Sequence, residues 1–158
     1  CKLLNDTDNN IYIFEDIKDD NNKINTVKKY LIYPTDIPNV TVNRFYCGNK
    51  NTGTHLHNHS QALNYLFSGI KLWLIIEHSR VNLCYLKLNN YFCNTNYVNK
   101  NNIDIFNWFI DNCIKIKNDI IDSYIIIQKS NEIIHIPNNY FHAVLNLSTT
   151  YGVTIRWN

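Results

Sequence analysis

The sequence predicts an all-β sandwich or barrel with one inserted helix, and three observations carry that expectation. Short runs of β-branched and aromatic residues recur along the chain, turn residues separate them, and one interval alone shows helical spacing. In chain order, Ile11-Tyr-Ile-Phe14 is a strand candidate within the otherwise polar residues 1–29. Tyr30-Leu-Ile-Tyr33, Val40-Thr-Val42 and Phe45-Tyr46 follow, punctuated by Pro34 and Pro38. Next come Gly53–His59, Asn64–Phe67 and, after a turn at Ser68-Gly69, Lys71–Ile76. The helix is expected over about 102–117, from the recurrence of Ile103, Phe106, Ile110, Cys113 and Ile116. Asp104 in its first turn and Lys115 and Lys117 near its end suit the helix dipole. The tail supplies Tyr124–Ile127, Ile133–Ile136, Ala143–Leu145 and Tyr151–Ile155.

A chain of 158 residues fits one domain, read as residues 1–158 with flanking strands over 1–39 and the core over 40–158. Hydrophobic residues at 45% are ample for a packed interior, so the negative mean hydropathy comes from asparagine, which marks loops such as Asn89-Asn90. A net charge of +2 is too weak to argue for nucleic acid or an acidic membrane as a partner, so direct nucleic-acid binding is not expected. No apolar run reaches the length of a membrane span, and no signal peptide is visible. The chain starts at Cys1 and lacks methionine, which reads as a piece of a longer protein. Its five cysteines form no Cys-x-x-Cys pair, so a zinc ribbon is not expected; Cys84 could pair with Cys93 or stay a thiol. Asn58 sits in a glycosylation pattern but also among the histidines.

Those histidines carry the chemistry. In the segment Gly53-Thr-His-Leu-His-Asn-His59, alternation along an extended strand puts His55, His57 and His59 on one face. Spacing leaves two overlapping His-x-His pairs open, and packed or solvated histidines without a metal are the plain alternative. His142 adds a third imidazole, following the proline-stopped strand at Ile136-Pro137 and so near a strand end, where a jelly roll opens. His78 lies by a polar turn, and His135 reads as an ordinary strand residue.

Lys71 is the other anomaly. It is flanked by Ile70, Leu72, Trp73 and Leu74, and an ammonium buried there needs an anion. A lysine reaching out from a barrel rim is one account, and a clamp for a small diacid is the other.

Together these segments resemble the Jumonji-C (JmjC) family, whose fold is the double-stranded β-helix of cupin-like jelly rolls. The likeness rests on Gly53–His59, on Asn64-Tyr-Leu-Phe-Ser-Gly-Ile-Lys-Leu-Trp73 and on Glu132 through Leu147 to Thr154. It covers the chain from about residue 40 to the end. Carried over by position, His57, His59 and His142 would be the metal ligands, the spacing to the Gly69 hairpin favouring this pair over His55 and His57. Lys71, Asn64 and Thr154 would hold 2-oxoglutarate, and Asn146 would brace the pocket. An upstream tyrosine, Tyr33 or Tyr46, would complete it. The resemblance implies an Fe(II)- and 2-oxoglutarate-dependent dioxygenase that hydroxylates or demethylates a protein side chain, with a histone tail as one such partner. It leaves the compartment open between nucleus or cytoplasm and the endoplasmic reticulum lumen, the last by analogy with a small JmjC-only branch that shares the His-x-His motif.

This sequence departs from the common pattern at His59, where most members carry Asp or Glu. Two histidines and a carboxylate suit non-haem iron, whereas three histidines also suit Zn(II). The departure supports an alternative, an altered JmjC-like metal-binding module that recruits a protein. A third reading, a cupin isomerase or small-molecule dioxygenase, would need no keto acid.

Overall fold

The computed structural model describes residues 12–16, 40–91 and 104–157. The strand expected at Tyr30–Tyr33, Tyr33 itself and Cys93 lie outside these residues. Within them the chain forms nine strands and two helices. The strands are β1 (Tyr12–Asp16), β2 (Val40–Gly48), β3 (Gly53–His57), β4 (Ala62–Ser68), β5 (Ile70–Ile76), β6 (Ser123–Lys129), β7 (Ile133–Ile136), β8 (Phe141–Asn146) and β9 (Thr150–Trp157). Helices α1 (Arg80–Leu88) and α2 (Ile105–Asp119) interrupt them between β5 and β6. Neither is long and apolar enough to cross a membrane.

All pairings are antiparallel, in two sheets ordered β1-β2-β9-β4-β7 and β3-β8-β5-β6. From β2 to β5 and from β6 to β9, consecutive strands alternate between the sheets, which is the jelly-roll arrangement of a cupin. Period-two alternation then sorts each strand's side chains. On β8, Phe141, Ala143 and Leu145 join the core under the helices, while His142, Val144 and Asn146 face the other way. Leu74 and Ile76 on β5 join the same helical core, and Lys71, Trp73 and Ile75 face inward between the sheets.

The helices differ from expectation in two ways. First, α2 begins and ends later than 102–117, and its buried face consists of Ile105, Trp108, Phe109, Cys113 and Ile116. Ile110, placed on that face by the sequence pattern, is 61% exposed. Trp108 and Phe109 supply the contacts instead, because two adjacent large aromatics outweigh one aliphatic side chain in buried area. Asp104 is the N-cap rather than a first-turn residue, its carboxylate accepting from the Phe106 N–H at 3.0 Å. Second, α1 has no counterpart in the pattern of the sequence. Ser79 caps it, accepting from the Asn82 N–H at 3.0 Å, but only Asn82 and Leu86 are buried, so its apolar stripe is faint.

Asparagine has a use here beyond composition. The non-glycine residues with positive φ among the described residues are Asn51, Asn90, Asn131 and Asn139. Asparagine tolerates this left-handed region better than most L-residues, so it can end elements where other chains use glycine. Gly69, with φ 101°, makes the tight β4–β5 turn.

One buried residue joins the sheets. Gln128 on β6 accepts from Trp73 Nε1 at 2.9 Å, and its amide donates to the Asn64 carbonyl of the other sheet at 2.9 Å and to that of Glu132 at 3.0 Å.

Candidate metal centre and cleft

His57 and His142 face each other directly across β3 and β8. The register slips between Thr54 and His57, where β3 spends three steps against two on β8. This bulge changes the face on which residues fall. Thr54 and His57 both line the inner cleft although an odd number of positions separates them. His55 packs its ring edge-on to Trp108 of α2, 6.1 Å away between centroids. The bulge therefore settles which His-x-His pair converges, and corrects the expectation that all three histidines share a face. Gly53 permits the close approach, since a Cβ there would overlap the Val144 carbonyl.

His59 lies beyond the end of β3, so strand alternation does not position it. Its loop is tied down instead by the Asn139 N–H, which donates to the His59 carbonyl at 2.9 Å. The rings nonetheless converge. Centroid separations are 4.2 Å for His57–His142, 4.6 Å for His59–His142 and 5.4 Å for His57–His59. One ring nitrogen from each lies within 4.8 Å of the others, close enough for a shared metal ion.

The tautomers fit that use. Nδ1 of His57 lies 2.7 Å from the His55 carbonyl, Nδ1 of His59 lies 2.5 Å from that of Ser60, and Nδ1 of His142 lies 3.1 Å from that of Tyr140. A carbonyl only accepts, so each Nδ1 carries the proton and each Nε2 keeps its lone pair for a metal. Burial keeps all three rings neutral. It lowers the His57 pKa against the opposing carbonyl bond, takes His59 to about 4, and holds His142 well below its ordinary value, with the neighbouring histidines adding to the effect. Three neutral imidazoles with free Nε2 atoms, His142 buried and His57 and His59 half-buried, suit a divalent transition metal.

The same cleft, about 400 Å³ including its open mouth, is lined by Lys71, Asn64 and Thr154 together with the histidines. Lys71 is 1% exposed, and its Nζ sits 3.4 Å from the centre of the Tyr46 ring and 5.8 Å from that of Trp73. Burial pushes its pKa well below that of a free lysine. Among the described residues no carboxylate meets the ammonium, and the Tyr46 π-face stands where an anion would. The Tyr46 hydroxyl lies 2.9 Å from both Asn64 Oδ1 and the Tyr65 carbonyl, and the Asn64 amide donates to Thr154 Oγ1 at 2.8 Å. Gly152 leaves room for that hydroxyl, which a Cβ would overlap.

Of the two upstream tyrosines, Tyr46 is thus the one beside Lys71. Asn146 is placed differently from the others. It pairs with Lys71 in register but does not line the cleft; its amide donates to Thr52 Oγ1 at 3.0 Å and its backbone N–H to the Thr52 carbonyl at 2.8 Å, fastening the turn before β3. His78 packs on Phe141 and His135 stacks on Trp157, both away from the centre. Sequence reasoning missed Gln128 and Arg156. Gln128 closes an isoleucine run, and Arg156 resembles an ordinary polar end to the last strand; neither stands in a motif.

No curated protein matches this chain. The family model described as JmjC domain, hydroxylase matches residues 44–157, which takes in the latter half of β2, every strand from β3 onward, and both the histidine centre and the Lys71 cleft. The chain belongs to the JmjC domain family, a group of cupin-type metal-dependent oxygenases.

Proposed function

We propose that this domain is an Fe(II)- and 2-oxoglutarate-dependent dioxygenase acting on a protein or peptide side chain, by hydroxylation or, at an N-methyl carbon, by demethylation. One observation carries the reading: a buried lysine without a carboxylate partner among the described residues opens into the same cleft as three metal-competent imidazoles. Bound Fe(II) and keto acid would supply the oxidation of a C–H bond by molecular oxygen.

The chain's own residues do the rest. His57, His59 and His142 would hold the metal through Nε2, and the same donors suit Zn(II) as a substitute. Lys71 would pair its Nζ with the distal carboxylate of 2-oxoglutarate, exchanging the Tyr46 face for a charge-assisted hydrogen bond. Thr154 and Asn64, already hydrogen-bonded to each other, orient that end of the pocket. Trp73, Ile136, Val144 and Ala62 give it apolar walls that limit water. A polypeptide substrate, a histone tail among the candidates, would enter from the open side.

Succinate release coupled to 2-oxoglutarate loss tests the proposal. Turnover above that of a His142→Ala control, abolished by Lys71→Ala, is the expected result. Turnover indifferent to Lys71→Ala would point to chemistry without a keto acid. No release above the control would leave a metal-binding module that recruits a partner.

A further inference from the structure

Each of the two sheets ends in two edge strands, and among the described residues three of these four carry features that discourage further pairing. β3 is bulged, β7 is four residues long and stopped by Pro137, and β1 carries Glu15. The remaining edge, β6, has none of these. It pairs with β5 without a register shift from Ile76↔Ser123 to Ile70↔Lys129, and no charge or proline occurs between Ser123 and Gln128. Tyr124, Ile125, Ile126 and Ile127 are each between 37% and 56% exposed, and alternation puts them on both faces of the strand.

Main-chain bonds fix which of these residues point away from β5. The Asp122 carbonyl accepts from the Glu77 N–H, just past the end of β5, at 2.9 Å. At the other end Ile70, opposite Lys129, turns its N–H to Ser148 Oγ and its carbonyl to the Leu147 N–H, away from β6. Even-numbered residues of β6 therefore face β5, and odd-numbered ones direct N–H and C=O outward. Of the odd-numbered residues, Ser123 is buried, and the Lys129 N–H donates to the Glu132 carboxylate at 2.7 Å. Ile125 and Ile127 are the open rungs.

A second copy of the same strand fits this window. Antiparallel pairing about a two-fold axis matches outward residues with outward residues. With the axis at Ile126, each Ile125 meets Ile127 of the second copy, and both open rungs are used. The two Ile126 side chains meet on one face and the Ile125–Ile127 pairs on the other, as β-branched cross-strand pairs favour. The same register sets Lys129 opposite Ser123 of the second copy, one residue from its exposed Asp122, at both ends of the interface. A parallel copy would set like charges side by side.

We propose that β6 is a homodimerisation edge, an antiparallel β6–β6 pair joining the four-stranded sheets of two copies of this domain into one. The interface uses neither the histidine centre nor the cleft, so it stands apart from the oxygenase reading.

Sedimentation equilibrium of the chain tests the proposal. A dimer should predominate at about 100 µM and dissociate on dilution. Ile126→Lys places two ammonium groups at the axis and should weaken association at least about tenfold. Ile127→Lys, at the most exposed of the four positions, should do the same and serves if the first variant fails to fold, with circular dichroism as the check on folding. Lys129→Glu should weaken the dimer, and adding Asp122→Lys to it should restore association. Four results would overturn the proposal. A monomer at about 100 µM would show that no second copy occupies the edge. A dimer indifferent to both isoleucine substitutions would lie elsewhere on the molecule. Assembly continuing past the dimer would contradict a closed two-fold pair, and failure of the charge exchange to restore association would contradict the antiparallel register.

Discussion

At the scale of single residues, the histidine centre is set by main-chain carbonyls as much as by the rings themselves. Each Nδ1–H is engaged by a nearby carbonyl, which leaves each Nε2 lone pair free, and one ring nitrogen of each residue lies within 4.8 Å of the others. The neutral rings have a measurable consequence. His59 falls from an ordinary value of 6.5 to about 4 in the folded chain, so between these values the unfolded chain binds the extra proton. That contribution to stability is present above about pH 6.5 and is lost as pH falls towards 4. Thermal unfolding of the metal-free protein should therefore show a falling midpoint across this window, with a shallower fall in His59→Ala. An equal slope in the variant would show that His59 is not the group responsible. The three histidines that converge were legible in the sequence as candidates, through the His-x-His spacing and the proline-stopped strand before His142. Their geometry was not. Alternation placed His55 with His57 and His59, and the bulge between Thr54 and His57 sends His55 to the helix side.

At the scale of elements, α2 supports the site from behind. It packs Trp108, Phe109, Cys113 and Ile116 against Leu56, Phe141 and Ala143, residues that alternate with His57 and His142 along β3 and β8. Truncating Ile116, which is fully buried, should cost about 2–5 kcal/mol by chemical denaturation. Ile110→Ala, on the exposed face, should change stability by less than about 0.5 kcal/mol. A comparable loss at both positions would contradict the face assigned to the helix. The existence of α2 was readable from its period. Which side it buries was not, since Ile110 fits the apolar stripe as well as its neighbours do and only the presence of a partner decides between them. α1 escaped notice for the opposite reason, as a short capped helix with little apolar surface resembles a loop in sequence.

At the scale of the whole molecule, the cleft draws on both sheets. His57, His142 and Lys71 come from the four-stranded sheet, and Asn64, Thr154 and Arg156 from the five-stranded one. Gln128 bridges them through Trp73 and the Asn64 carbonyl. Strand-by-strand reading predicts such a sandwich, but strand order and the meeting of residues far apart in the chain follow from packing between sheets, which no local pattern encodes. The proposed function depends on that meeting: the imidazoles would hold a metal at one side of the cleft, and Lys71 would receive a carboxylate at the other. Calorimetric titration of 2-oxoglutarate into the chain with and without Mn(II) tests it most directly. Binding should require the metal, disappear in His142→Ala, and weaken at least about tenfold in Lys71→Ala. Binding of equal strength without metal, or unchanged by loss of Lys71, would contradict the oxygenase reading.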